Sequence, residues 1–327
     1  MAPEVSVYTA PPEALVELLT RSPHVPHALP LARRMRFTKV PGGITEHARI
    51  LWAAGGSLED YLAAAAAGGN SNAPFAAAYL DFSRGPETEL WIYSSLETRA
   101  GAPDAELQRD DTACAVALLR QVKRLQDLYF APGSARAAER EFPTILVGNL
   151  DEALRARLVE AGLDIFSTGL YDKFIFKVEE LPDVRLPEVL GPGDGRRLRW
   201  DRLRPEDIPF AISRSHIPRK ERTVKLLPST ALYLDDGTPV AWAFLGPDSS
   251  LSGLHCEEPY RGRGIAKAVA VKVLRDHLKD FSDDGHGWAD VAPDNIQSQG
   301  VCRSLNGRVK WQISWSRLNL DRSFPDE

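Results

Sequence analysis

Residues 257–270, EEPYRGRGIAKAVA, constrain this chain more than any other stretch, because they follow directly on the apolar-leaning run SLSGLHC at 250–256. A strand that breaks into a turn with two glycines and then opens an amphipathic helix makes a cradle for phosphate. Gly262 and Gly264 let the backbone come close to an anion. The N–H groups of the helix's first turn have no intrahelical partner and point at that anion, and the helix dipole adds about 0.3–1 kcal/mol. Arg261, Arg263 and Lys267 place positive charge around the same spot. Two common phosphate loops do not fit. A dinucleotide fingerprint needs a third glycine where Lys267 stands, and the acids Asp283 and Asp284 fall in a turn-like segment instead of at a strand end. A nucleoside-triphosphate loop needs wider glycine spacing and a following Lys-Ser/Thr pair, both absent here.

The order Tyr-Arg-Gly-Arg-Gly-Ile-Ala resembles the pyrophosphate loop of the GNAT superfamily of acyl-CoA acyltransferases, whose pattern is Arg/Gln-x-x-Gly-x-Gly/Ala. Arg261, Gly264 and Ala266 fill those positions. The flanks agree. Residues 229–234 (STALYL) and 240–245 (VAWAFL) predict a hairpin, since Asp236-Gly237 supplies the positive φ angles of a tight turn. A third strand through Leu254 and Cys256 follows. A helix over 265–278 has its apolar residues at helical spacing. A short strand at 287–292, a helix at 295–305 and a strand at 309–320 close the chain. That is the element order of the GNAT core. A second family motif, Asn-x-x-Ser/Ala with an apolar residue, Tyr and then Leu-Gly, is matched by Asn295, Ser298, Val301, Leu305 and Gly307. Cys302 stands where many members carry the Tyr.

The resemblance implies acyl-CoA as co-substrate, acetyl-CoA foremost, held between two splayed parallel strands. Leu254, His255 and Cys256 would pair with pantetheine through their backbone. Arg261, Gly262, Arg263, Gly264, Ile265, Ala266 and Lys267 would hold the pyrophosphate. Asn295 would reach the pantetheine through its amide, although Asn is equally suited to cap the following helix. A backbone N–H would stabilise the oxyanion formed when an amine attacks the thioester. Such chemistry needs no metal, and none is expected. The stretch HVPH, His24 to His27, includes a proline and has no acidic or Cys partner close in sequence.

Acyl transfer to an amine requires a base. Asp290 on the penultimate strand, Glu257 at the end of the third strand, and His255 with its useful pKa near 6.5 are the candidates. Each has an ordinary structural role open to it as well. Cys302 could protonate the departing thiolate, or be a small buried side chain while water or another group supplies the proton.

At 327 residues and 43% hydrophobic content, the chain can bury two cores. Residues 181–197, rich in Pro, Gly and charge, read as a linker between a domain at 1–180 and the acyl-CoA-binding catalytic domain at 198–327. Three scattered cysteines argue against a disulfide scaffold, and no run approaches membrane-spanning length or forms a secretory signal. A cytoplasmic protein is expected. A net charge of −5 opposes general nucleic-acid binding, and no membrane partner is expected. The basic stretch 196–225 carries ten Lys/Arg against four Asp/Glu and reads as a solvated face near the cofactor's phosphates. Oligomeric state cannot be read.

In the N-terminal half, helices are predicted at 12–19, 58–67, 104–129 and 151–161, and strands at 75–82, 89–96, 144–147 and 174–178. This pattern echoes the second half without a counterpart to RGRGIA. The expected fold class is therefore α+β (mixed α/β), with a GNAT fold in the C-terminal half and a degenerate GNAT-like N-terminal half. The layout is similar to that of two-domain glycine N-acyltransferase-like proteins. Trp91, Tyr93 and Tyr129 are candidates to line the acceptor pocket or to pack a core. The expected activity is acyl-CoA-dependent N-acyl transfer to a small amine or amino-acid-like acceptor. The alternatives are a CoA-binding protein with decayed catalysis and a protein N-terminal or lysine acetyltransferase.

Overall fold

The computed structural model describes residues 2–68, 73–99, 105–134, 136, 143–186, 197–215 and 217–326. The chain divides into two compact units: unit 1 is Met1–Lys39, Ile44–Leu170 and Gln312–Glu327, and unit 2 is Val40–Gly43 and Tyr171–Trp311.

Unit 1 is built on strands β1 (Glu4–Tyr8), β2 (Arg49–Ala54), β3 (Phe75–Leu80), β4 (Leu90–Ser94) and β5 (Ile145–Asp151), neighbours in that order. The 312–319 part of β12 (Arg308–Asn319) lies beside β5. All these ladders are antiparallel except β4 with β5, which is parallel. Successive strand side chains point to opposite faces, so β2 and β3 serve two cores at once. Leu51, Ala53, Ala76 and Ala78 face Leu118, Leu119 and Leu154 on α4 (Ala105–Tyr129) and α5 (Glu152–Glu160). Trp52, Phe75 and Tyr79 face Leu15, Leu31 and Leu58 on α1 (Glu13–Leu19), α2 (Leu29–Phe37) and α3 (Leu58–Ala66). Trp91 and Tyr93 belong to this second core, and Tyr129 packs on Phe82 and Phe130, so all three aromatic candidates are packing residues here.

In unit 2, β7 (Leu198–Asp201), β8 (Ser229–Leu234), β9 (Pro239–Leu245) and β10 (Leu251–Cys256) form an antiparallel sheet ordered β10-β9-β8-β7. The β8–β9 turn carries Gly237 at φ +88, as its Asp-Gly pair predicts. Helix α8 (Ile265–His277) packs on β8, β9 and β10. Short helices α6 (Ile208–Ser213) and α7 (Glu221–Val224) precede β8. A separate pairing joins β11 (His286–Val291) antiparallel to the 172–177 part of β6 (Asp164–Lys177). Helix α9 (Ile296–Ser304) follows β11, and α10 (Leu320–Ser323) ends the chain in unit 1. No described helix is long and apolar enough to cross a membrane.

The expected division at 180/198 differs from the observed one. Two of the boundaries fall inside strands, after Leu170 in β6 and Trp311 in β12, and residues 312–327 belong with unit 1. Strand pairing, not linker composition, decides where each unit ends. Residues 181–186 have no regular structure, and the rest of the expected linker through 196 lies outside the described residues. The elements β1, β2, α2, α6, α7 and β7 are additional to those predicted. In β2 every residue after Arg49 is buried, so no alternation marks it. In α2, Arg33 and Arg34 are buried, and the Arg34 guanidinium sits 3.7 Å from the Tyr79 ring centre, which hides the helical stripe.

Gly307 follows α9 with its N–H bonded to the Cys302 carbonyl at 3.0 Å. A Cβ there would stand 2.4 Å from Phe176 Cε1 and 2.7 Å from the Cys302 carbonyl oxygen. Gly307→Ala is expected to destabilise by about 1–3 kcal/mol through this overpacking, read as a lower denaturant midpoint. An unchanged midpoint would show that Phe176 can move aside.

Candidate functional site

The site begins with an irregularity in β10. Its register with β9 pairs Ser252 with Phe244 and His255 with Trp242, so β10 advances three residues where β9 advances two. The extra residue is a β-bulge, and Gly253 sits in it at φ +59. A Cβ at Gly253 would meet Phe244 Cδ2 at 2.8 Å. Strand β10 is the end strand of its sheet and β11 the end strand of the other. The two come within 8 Å between Cα atoms but share no ladder among the described residues. Such strands leave backbone N–H and C=O groups for an extended ligand to bind.

Beyond β10 the chain makes a short 3₁₀ turn, Glu258–Tyr260, and then the glycine loop. Gly262 and Gly264 both take left-handed conformations, at φ +75 and +76. Gly264 is the N-cap of α8 and offers no side chain to close its amides. Arg261 to Gly264 are exposed, and Ile265, 2% exposed, anchors the helix start in the core. Arg261 Nε donates to the Cys256 carbonyl at 2.9 Å, tying the loop to the strand end. No acidic residue stands in the first turn of α8, and Ala266 and Lys267 are half-buried there. The segment 261–264 is thus an exposed turn of two left-handed glycines ending at the open N-terminus of α8.

One face of the β8–β9–β10 sheet brings His255 and Glu257 together with Trp242. One row across it is Ala231, Trp242 and His255. The His255 ring stacks on Trp242 with centroids 4.7 Å apart, and Phe210 of α6 meets Trp242 edge-on. His255 Nε2 lies 3.3 Å from Glu257 Oε1, and Arg214 Nε donates to the same oxygen at 2.9 Å. Burial lowers the His255 pKa below its ordinary 6.5; Glu257 opposes that shift, while Arg261 and Arg214 add to it. The next row is Ser229, Phe244 and Ser252. There Arg219 donates to Ser252 Oγ at 2.5 Å and to Ser215 Oγ at 3.2 Å.

The remaining candidates sit elsewhere. Asp290 lies opposite Lys173 in the β11–β6 ladder, with Nζ to Oδ1 at 2.6 Å and both side chains at most 5% exposed. Burial raises the Asp290 pKa, with Lys173 opposing and Asp248 reinforcing the rise. This carboxylate is already committed to an ammonium. Cys302 is buried, and desolvation pushes its thiol up to about 12; Cys256 is also buried, its thiol pushed up to about 11. Leu254 is a half-buried residue of the bulged strand. Asn295 caps α9, its Oδ1 accepting from the Ser298 N–H at 3.0 Å. The geometry thus groups His255 and Glu257 beside the loop and shows Asp290 in a separate ion pair.

Sequence reasoning missed Gly253, Trp242, Arg214, Arg219 and Lys173. An isolated glycine inside a strand pattern is a bulge signal and could have found Gly253. The others depend on neighbours distant in sequence. The expectation for HVPH also changes in space. His24 is buried against Tyr93, Nδ1 to Oη 3.0 Å, while one ligand atom each of His27, Glu97 and Asp151 all lie within 4.8 Å of one another. The acidic partners absent nearby in sequence are supplied by the fold.

Comparisons with known proteins bear on the family and the fold. The family description "Acyl-CoA N-acyltransferase verG N-terminal domain" matches residues 2–175. A Drosophila protein of known X-ray structure is 14% identical over 94% of this chain and 95% of its own, with a TM-score of 0.62. A tandem GNAT protein from the clavulanic acid biosynthesis pathway is 12% identical over 97% of this chain and 98% of its own, with a TM-score of 0.50. These two structures share the fold. No curated protein matches.

Replacing Gly264 with Val forces a β-branched residue into a left-handed conformation that only glycine adopts freely, a strain of about 1–3 kcal/mol. The expected result is CoA binding weakened roughly tenfold or more by calorimetry. Unchanged affinity would remove the loop from the site.

Proposed function

The chain belongs to the acyl-CoA N-acyltransferase verG N-terminal domain family, within the GNAT superfamily, and from that premise we propose that it transfers an acyl group from acyl-CoA, acetyl-CoA foremost, to a small amine or amino-acid-like acceptor. One observation carries the reading: a bulged end strand runs into a loop of left-handed glycines that caps α8. Pantetheine pairs with the unladdered backbone around Leu254, and the pyrophosphate lies on the α8 N-terminus with Arg261, Arg263 and Lys267 near it.

The acceptor nitrogen attacks the thioester carbonyl carbon directly, forming the C–N bond, and the C–S bond then breaks to release CoA thiolate. A backbone N–H of the bulge offsets the charge on the oxyanion. His255 takes the amine proton. Its lowered pKa keeps the ring neutral near pH 7, and Glu257 can stabilise the imidazolium once formed. Asp290, paired with Lys173, is a poor choice for this task. Cys302 at about 12 is a weak donor to a thiolate, so water protonates the leaving group. That same weakness favours, as a second reading, a protein that binds CoA without catalysis.

Following thiol release from acetyl-, longer acyl- and aryl-CoA across free amines, amino acids, and peptide N-termini or lysines tests these readings. CoA binding without thiol release on any acceptor would favour the binding-only reading, and release with peptides alone would favour a protein acetyltransferase.

The pH dependence follows from His255. Activity is lost as pH falls through the His255 pKa, so kcat/KM is expected to rise along a limb centred below 6.5 and to level off near neutrality. His255→Gln should lower kcat by about 10²–10⁴. Glu257→Gln removes the one raising influence and should move the limb to lower pH. A limb that stays in place in both variants would exclude His255 as the base.

A further inference from the structure

Unit 2 contains a cavity of about 330 Å³ lined by Leu203, Pro205, Ile208, Val224 and Phe244, with Arg202, Lys225 and Ser229 completing it. Its position follows from the sheet register. Phe244 and Ser229 are partners in the row that also holds Ser252, one row along from His255 on the same face. Two residues along a strand span roughly 7 Å. The cavity therefore shares Phe244 with the sheet face that holds His255, and extends from Phe244 across to Ser229 on β8. Phe244 also packs against the bulge, within 2.8 Å of where a Gly253 Cβ would be. The cavity wall and the bulge are thus one contact.

The lining is amphiphilic. Its walls are apolar, and its two cationic members, Arg202 and Lys225, are exposed. They are fixed to each other, Arg202 donating to the Lys225 carbonyl at 3.1 Å. Lys225 also pairs with Glu221 at 3.1 Å. Arg219 adds a third cation on the Ser252 side of Phe244. An acyl chain would have no use for these charges. A volume near the lower end of small-molecule sites, about 300–1,000 Å³, suits a single side chain and not a polymer.

We propose that this cavity is the acceptor-selecting pocket, and that the acceptor is an α-amino acid with a branched or aromatic apolar side chain. The side chain fills the space beside Phe244, the amine faces His255, and the carboxylate is drawn to the cationic rim. The placement of the amine rests on the transfer reading above; the fit of an apolar amino acid to the cavity does not.

The basic stretch 196–225 thereby gains a specific use. Its charges gather at the acceptor side of the sheet, with Arg214 on Glu257, Arg219 on Ser252, and Arg202 and Lys225 at the cavity.

The test compares kcat/KM for leucine and phenylalanine with that for glycine and for phenethylamine, which keeps the ring and lacks the carboxylate. Each apolar amino acid is expected to exceed glycine, and phenylalanine to exceed phenethylamine, by tenfold or more. Val224→Phe, which fills the cavity, should reduce the leucine-to-glycine ratio at least tenfold. The surface pair Arg202→Gln with Lys225→Gln, which leaves the core intact, should reduce the phenylalanine-to-phenethylamine ratio at least fivefold. Unchanged ratios in both variants would overturn the proposal, as would a Val224→Phe effect confined to long acyl donors. Calorimetric binding of leucine to the wild type and to both variants separates the two readings. If no acceptor releases thiol yet leucine binds and weakens in the variants, the pocket stands and the transfer reading fails. Absence of leucine binding together with absence of selective turnover overturns the pocket.

Discussion

A single extra residue in β10 is the constraint on which the rest of the site depends. Between Ser252 and His255 the strand advances one residue more than its partner, and the left-handed Gly253 absorbs the excess. Without it, alternation would turn His255 to the other face of the sheet, away from Trp242, Phe210 and Glu257. The bulge also interrupts the ladder at the place where β10 stands at a sheet edge near β11 without pairing to it. Backbone hydrogen-bonding groups of β10 are thereby left outside the β9 ladder, and the His255 side chain is re-aimed onto Trp242.

Local environment then separates three ionisable groups that look alike in sequence. Asp290 sits opposite Lys173 between buried strands, where desolvation raises its pKa and the ion pair with Lys173 opposes the rise. Cys302 is a small buried thiol whose charged form is strongly disfavoured. His255 is partly open, with a side chain 19% exposed, and is stacked on an indole beside a carboxylate that Arg214 shares. Only the last of these is a partly exposed ring, its pKa lowered from 6.5 by burial with Glu257 opposing. Of the basic residues before β8, Arg214 meets Glu257, Arg219 meets Ser252, and Arg202 and Lys225 stand at the cavity.

Much of this was legible in the chain. The hairpin at 229–245, the helix from Ile265 and the cap at Asn295 follow from turn glycines, helical spacing and capping chemistry, all of which act within a few residues. The left-handed glycines of the loop were legible for the same reason. Elements buried on both faces were not: β2 shows no alternation because both of its faces meet cores. Nor was α2, whose arginines lie inward against aromatic rings. The acidic neighbours of His27 come from residues some seventy and more than a hundred positions away, so no local reading could supply them.

By itself, the sequence determined the glycine loop 261–264 and the order of elements around it, because glycine conformation, helix termini and hydrophobic period are local properties. The tertiary structure decided which candidates share a surface, because register, bulges and long-range pairing set that. It placed His255 with Glu257, gave Asp290 to Lys173, set a cavity beside Phe244, and drew unit boundaries through β6 and β12 where the linker's composition had suggested another line. The glycine loop was written in neighbouring residues; the His255–Glu257–Arg214 cluster and the cavity beside Phe244 came from strands and helices brought together only by folding.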